Sequence, residues 1–374
     1  MRHALNTQTE QQLTYSNMKK ALFLFIATLM LTSCEALFEA ATGAKRAYIG
    51  NKYEILVVCD DELWDSELGI ALQKTLRSGI PGLPQYEEAF TITRISSKDF
   101  TGVKKDFRNI LFVKIDMDTY TAPAFRSKRD LNAEGQVIMT IQAPDIASCA
   151  EYVNENSQTI IDFFNSIERE RRLGIIDAVY NTEAYRMVEE NFGCSFKIPM
   201  DIQGHKVGKD FIWFSDMNTT NPDILNFAIY SYPYTSEDNF SKEHFIHMRD
   251  SMMKANIQGT HKGEHVETDR NSVTLEDKEY NDRYIQEARG LWRMGGENFT
   301  ECWGGPFVSH SVVDEMNNRV IVVEAFLFSS KKNGILMRDL EASLYTLELP
   351  IDKYLKKISA PDAVVIEGKQ DTEQ

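Results

Sequence analysis

Cys34, which closes Leu31-Thr32-Ser33-Cys34, has surroundings that point to a definite reaction. Basic Met18-Lys19-Lys20 and an apolar run from Ala21 to Leu31 precede it, and small residues mark the junction. This is the grammar of a lipoprotein signal: the thiol is alkylated by lipid transfer, and cleavage between Ser33 and Cys34 frees the modified terminus. The run is too short for a membrane span, which needs about 20 apolar residues. Attachment would instead rest on acyl chains such as palmitate, each buried methylene contributing about 0.8 kcal/mol. The expectation is a lipid-anchored cell-envelope protein, on the outer membrane, with neither face chosen.

Other spacings suggest chemistry less firmly. His244-x-x-His247 and His261-x-x-x-His265 could offer four imidazoles to zinc or copper. A helical i,i+3 pair followed by a loop pair has no closed-site grammar, and Lys262-Gly263-Glu264 between them reads as a solvated connection, so no metal or other cofactor is expected. Ser309-His310 with Asp314 invites a triad, but a nucleophile needs a sharp exposed turn. Ser309 instead alternates within a strand pattern, and no catalytic residue is assigned. Asp116-Met117-Asp118 lacks the rest of a calcium loop, and Gly204 to Asp210 fits a hairpin better than a phosphate loop. The better binding candidate is Trp292 and Arg293 with Trp303, Gly304, Gly305 and Phe307, since aromatic faces beside arginine suit sugar rings or peptide segments. Against it stands a plainer reading, in which Trp292 packs a core and the glycines make tight strand turns.

The elements that would position these residues follow from periodicity. Tyr53–Cys59, Phe90–Ile95, Ile110–Ile115 and Gln136–Ile141 read as strands, and Leu63–Leu76 as a helix stopped at Gly79-Ile80-Pro81-Gly82. Asp116 to Glu134 reads as a polar loop, and a long amphipathic helix follows Pro144 through Val153, Ile160, Phe164 and Ile167. Beyond Phe192, strands are expected at 196–199, 211–214, 226–232, 272–275, 283–294, 307–313 and 320–328. Ser241 would cap a helix through Lys254, Asn317-Asn318 would make a hairpin turn, and a last helix carries Leu336, Leu340, Leu344 and Leu347. The pattern predicts two domains after an upstream extension from a misplaced start codon at 1–17, a signal peptide at 18–33 and a tether at 34–51. The first, 52–190, is α/β, a mixed sheet with packed helices. The second, 191–350, is α+β, an antiparallel sheet sandwich with helices whose topology weakly resembles the PsbP/Mog1-like fold. Residues 351–374 read as a polar tail.

Composition narrows the partners. The 374 residues carry a net charge of −15, and those before Cys34 are net basic, so the mature chain is more acidic still. Such a body repels phosphate backbones and anionic headgroups, which disfavours nucleic acid. Cys59, Cys149, Cys194 and Cys302 show no C-x-x-C spacing; an envelope compartment permits disulfides, but apolar flanks favour buried thiols at Cys59 and Cys194.

Several blocks also carry a resemblance. Arg289-Gly290-Leu291-Trp292-x-Met294, Gly304-Gly305-Pro306-Phe307-Val308-Ser309 and Leu336-Met337-Arg338 through Leu347 resemble a Bacteroidetes lipoprotein family, domain of unknown function 4837. Ile80-Pro81-Gly82-Leu83-Pro84-Gln85 and Arg108-Asn109-Ile110-Leu111 are similar too, whereas Cys302-Trp303 departs from its pattern. The resemblance implies a secreted, lipid-anchored protein and supplies no reaction. The functional expectation is a non-catalytic binding or assembly module for an envelope protein or glycan. An envelope hydrolase or glycan-binding enzyme is the alternative.

Overall fold

A computed structural model describes residues 45–216, 223–259, 261–296 and 303–359. The expected signal, Cys34, most of the tether, Cys302 and the end of the tail lie outside those residues.

The first half begins with β1 (Arg46–Ala47) and β2 (Glu54–Val58), then α1 (Asp61–Trp64), α2 (Glu67–Leu76), β3 (Thr91–Ile95) and β4 (Asn109–Ile115). It continues through β5 (Ala124–Arg129), β6 (Ala133–Glu134), β7 (Val137–Ala143), α3 (Ile146–Glu155) and α4 (Ser157–Ala178). The main sheet runs β3-β2-β4-β7-β5, parallel except for β5, while β1 pairs only with β6. β2 is buried on both faces, which is why it reads as a continuous apolar run. Ile55, Val57, Leu111 and Met139 meet Leu72 of α2, Val153 of α3 and Phe164 of α4 on one side; Leu56, Val58 and Ile110 meet Phe100, Phe107 and Phe112 on the other.

Three expectations there need correction. The long helix expected after Pro144 is two, α3 and α4, parted at Asn156. The Leu63–Leu76 helix breaks at Asp65-Ser66, where the Ser66 hydroxyl accepts the Leu68 N–H and starts α2 afresh. The polar loop from Asp116 to Glu134 contains β5 and β6; β5 is an edge strand, and its exposed Arg126, Lys128 and Arg129 are what an edge tolerates.

The second half holds α5 (Thr182–Phe192), β8 (Gly204–Gly208), β9 (Phe211–Ser215), β10 (Ile224–Pro233) and α6 (Lys242–Asn256). Then come β11 (His265–Tyr280), β12 (Arg283–Gly295), β13 (Gly304–Asp314), β14 (Arg319–Phe328), α7 (Gly334–Leu344) and α8 (Pro350–Ser359). All seven strands are antiparallel in the order β11-β12-β13-β14-β10-β9-β8. Because side chains alternate, Val308, Val312, Ile321 and Val323 face α5 and α7, and Phe307, Val320, Val322 and Trp292 face α6. The architecture is the expected α/β plus α+β pairing.

Details differ from the sequence reading. α5 packs Val188 and Phe192 into the second core, so it belongs with the second half. Residues 196–199 form no strand, yet Phe196 and Ile198 are fully buried in that core. The tail opens with α8, and Pro350 occupies its first turn, where a missing N–H costs nothing. Ser241 caps α6 as expected, and Asn318 makes its turn at φ 49°. Cys59, Cys149 and Cys194 are buried free thiols; burial pushes Cys59 up to about 11 and Cys149 and Cys194 up to about 12. Among the described residues no helix is long and apolar enough to cross a membrane.

Candidate functional site

Where α4 faces α7, the halves enclose a cleft of about 1160 Å³. α4 buries Ile160, Phe164 and Ile167 in the first core, which turns Asn165, Ser166 and Arg169 toward the cleft. α7 buries Met337, Leu340 and Leu344 in the second core and presents Arg338, Glu341 and Tyr345, spaced i, i+3 and i+7 on one face. β12 adds Arg289, and β11 adds Lys278 and Tyr280.

Two arginine–tyrosine pairs cross between the halves in opposite senses. The Arg338 guanidinium lies 3.4 Å from the ring centroid of Tyr53, and that of Arg169 lies 4.2 Å from the ring centroid of Tyr345. Arg338 also donates to the Ala89 carbonyl at 2.8 Å and to Asn165 Oδ1 at 3.4 Å. Tyr53 holds φ at 56°, a left-handed conformation that costs a bulky residue about 1–2 kcal/mol, so the packing around its ring imposes that backbone. Burial pushes both tyrosine hydroxyls well above their ordinary range.

Behind the cleft wall lies a charged cluster. Glu287, 1% exposed, accepts from Lys278 at 2.8 Å and from Arg289 Nε at 2.6 Å, and Arg289 donates to Glu341 at 2.6 Å. Burial opposes the Glu287 charge, but Arg289, His310 and Lys278 outweigh it and hold the carboxyl well below the usual range. His310 Nε2 is 3.4 Å from Glu287 Oε2, and its ring packs edge-on against Tyr345 at 4.7 Å. Neither His310 nitrogen makes a hydrogen bond, and neither does that carboxylate oxygen.

The sequence-derived candidates lie elsewhere. Trp292 is core: its indole N–H donates to the Leu327 carbonyl at 3.0 Å and its ring packs on Phe326. Phe307 is buried beneath α6 against Phe245. Gly304 and Gly305 allow close strand contact, since a Cβ would lie 2.5 Å from the Trp292 carbonyl oxygen or 2.0 Å from that of Leu327. Arg293 pairs with Glu267 on the surface, and Trp303 stacks on Phe328. None of these six lines the cleft. Ser309 and His310 project to opposite faces of β13, toward α6 and α7, so no triad forms. His244 and His247 sit on α6, His261 precedes a turn and His265 opens β11 after it; among the described residues no three potential ligands converge on a metal position. Asp116 folds back to accept the Asp118 and Thr119 N–H groups.

Sequence reasoning missed Tyr53, Lys74, Arg169, Arg338, Glu341 and Tyr345. The signal for three of them was present: polar Arg338, Glu341 and Tyr345 share a helix face beside an apolar one. Three of the blocks carrying the family resemblance also meet here, because Ile80 and Pro81, Arg289, and Arg338, Glu341, Ala342 and Tyr345 all line the cleft.

Comparison with known proteins divides the chain at the same place as the fold. Residues 181–346 match the family described as Domain of unknown function (DUF4837), and residues 49–176 match another, Domain of unknown function (DUF8532). Ile80 to Gln85 and Arg108 to Leu111 therefore fall within the match to the second of these, outside the match to the first. A crystal structure from Bacteroides thetaiotaomicron is similar at 13% identity over 42% of this chain and 44% of that chain, with a TM-score of 0.18. No protein of curated function matches.

Proposed function

We propose that the chain is a non-catalytic binding module of the cell envelope, held by lipid on Cys34, and that its ligand occupies the cleft between the halves. The supporting observation is the cleft itself. It exceeds the volume of a usual small-molecule pocket, about 300–1,000 Å³, and gathers hydrogen-bonding side chains from both halves. The serine and histidine that could have formed a nucleophile–base pair point apart, which speaks against the hydrolase alternative.

Thr159 is exposed on the cleft wall, so Thr159→Trp should fill the cleft without disturbing a core. In capture from detergent-solubilised envelopes, the wild type should retain a reproducible protein or glycan that Thr159→Trp loses. Identical captures, or none, would overturn the cleft reading. For the anchor, Cys34→Ala should leave an unlipidated chain outside the membrane fraction; unchanged fractionation would overturn it.

A further inference from the structure

We infer that the cleft recognises an acidic saccharide, whose carboxylate or phosphate docks on Arg169 and Lys74 with Arg338 behind them. This rests on the cleft reading above and assigns the chemistry of its ligand.

The charges on the cleft wall sort by partner. Lys278 and Arg289 are consumed by Glu276, Glu287 and Glu341. Lys74, Arg169 and Arg338 have no carboxylate within ion-pairing distance among the described residues, although the chain as a whole is strongly acidic. The remaining carboxylates of the lining, Asp162 and Glu279, are exposed at its rim. A guanidinium removed from water without an anion is costly. Burial accordingly holds Arg338 below its ordinary value, whereas in Arg289 burial is outweighed by Glu341 and Glu287, which hold it above.

Geometry prepares the two guanidinium groups for an oxyanion, and Lys74 adds an exposed cation on the same cleft wall. Asn165 and Arg169 lie one turn apart on α4, and Arg338 reaches Asn165, so both guanidinium groups meet the same helix face. Each lies over a tyrosine ring that fixes its plane; Arg338 spends Nε on the Gly334 carbonyl and Nη1 on Ala89 and Asn165 and keeps Nη2, while Arg169 makes no hydrogen bond among the described residues. The saccharide body follows from the remaining wall. Asn154, Ser157, Gln158 and Thr159 offer hydroxyl and amide groups, and Phe125 and Tyr280 offer ring faces. That combination hydrogen-bonds sugar hydroxyls and stacks on pyranose rings.

The test is calorimetric titration of the full chain with four probes: methyl galacturonide, galactose 6-phosphate, neutral methyl galactoside and inorganic phosphate. At least one acidic sugar should bind, more weakly as salt rises, and which of the two binds identifies the anion as carboxylate or phosphate. Arg169 makes no ion pair or hydrogen bond among the described residues and gives up only its place over the Tyr345 ring, so Arg169→Gln should lower the melting temperature by no more than about a few degrees and lose binding tenfold or more. Lys74→Gln should lose somewhat less, and surface Arg186→Gln should lose nothing. Equal binding by wild type and Arg169→Gln, or no binding of either acidic sugar, would overturn the inference. Binding of methyl galactoside alone would also overturn it while leaving the cleft reading standing. Inorganic phosphate binding as tightly as the sugars would remove the saccharide part. Failure of the envelope capture with Thr159→Trp tests the cleft reading separately.

Discussion

At the scale of single residues, the second half depends on charges that its core encloses. Arg249 and Glu324 are both fully buried, joined by Nε at 2.9 Å and Nη2 at 2.7 Å, with Arg249 Nη1 donating to Thr268 at 2.8 Å. Removing one member strands the other, a loss of about 3–5 kcal/mol. Arg249→Met should therefore lower the denaturation midpoint sharply, and adding Glu324→Leu should restore most of it. If the double variant is no more stable than the single one, the pair is not what holds α6 to the sheet. Glu287 gives a pH signature. Its folded carboxyl lies below the unfolded value near 4.5, so its contribution is complete above that value and is lost as pH falls beneath it. The wild type should lose stability below pH 4.5 with a slope of up to about 1.4 kcal/mol per pH unit from this group. Glu287→Gln should flatten that limb, as acid titration of urea midpoints would show.

At the scale of elements, α7 shows what a sequence hides. Asn333, at its N-cap position, makes no side-chain cap bond. Instead Glu87 of the first half accepts the Asn333 and Gly334 N–H groups at 2.7 and 2.9 Å. The carboxylate thus serves as a remote cap and meets the positive end of the helix dipole. Gly334 leaves room for this approach, because a Cβ there would lie 2.5 Å from Ile80 Cδ1 and 2.9 Å from Glu87 Oε2 and would push both side chains aside. Glu87→Ala should cost about 1–2 kcal/mol, with faster amide exchange in the first turn of α7; unchanged protection there would contradict the capping role. Strands such as β2 and β14, and the apolar faces of α4 and α7, were legible because burial writes a period into the chain. β5 was not, since an exposed edge carries no apolar alternation. The cleft was not legible either: Tyr53, Arg169 and Arg338 are distant in sequence and meet only after both halves have folded. Glu324, inside Val322-Val323-Glu324-Ala325-Phe326, was a signal passed over, because a carboxylate in a run buried on both faces demands a partner.

At the scale of the whole molecule, the same contacts that shape the cleft decide whether the halves behave as one body. Each half has its own core, and in many proteins such units melt apart. Here the Glu87 cap, the Arg338 bond to Ala89, the two opposed arginine–tyrosine pairs and the Lys52–Asp339 ion pair all cross between them. Most are removed from bulk water, so they hold worth that exposed pairs lack. The wild type should unfold in one calorimetric transition. Glu87→Ala combined with Arg338→Ala removes the cap and one crossing pair while leaving both hydrophobic cores whole, and should separate that transition into two. A double variant that still melted in a single step, with equal calorimetric and van't Hoff enthalpies, would mean that the coupling lies in the apolar contacts of Ile80 and Leu83 instead. The distinction matters for binding. If polar contacts couple the halves, an anion docked on Arg169 of α4 and Arg338 of α7 adds a bridge between them, and ligand binding should then raise the melting temperature of the wild type more than that of the double variant, which lacks Arg338.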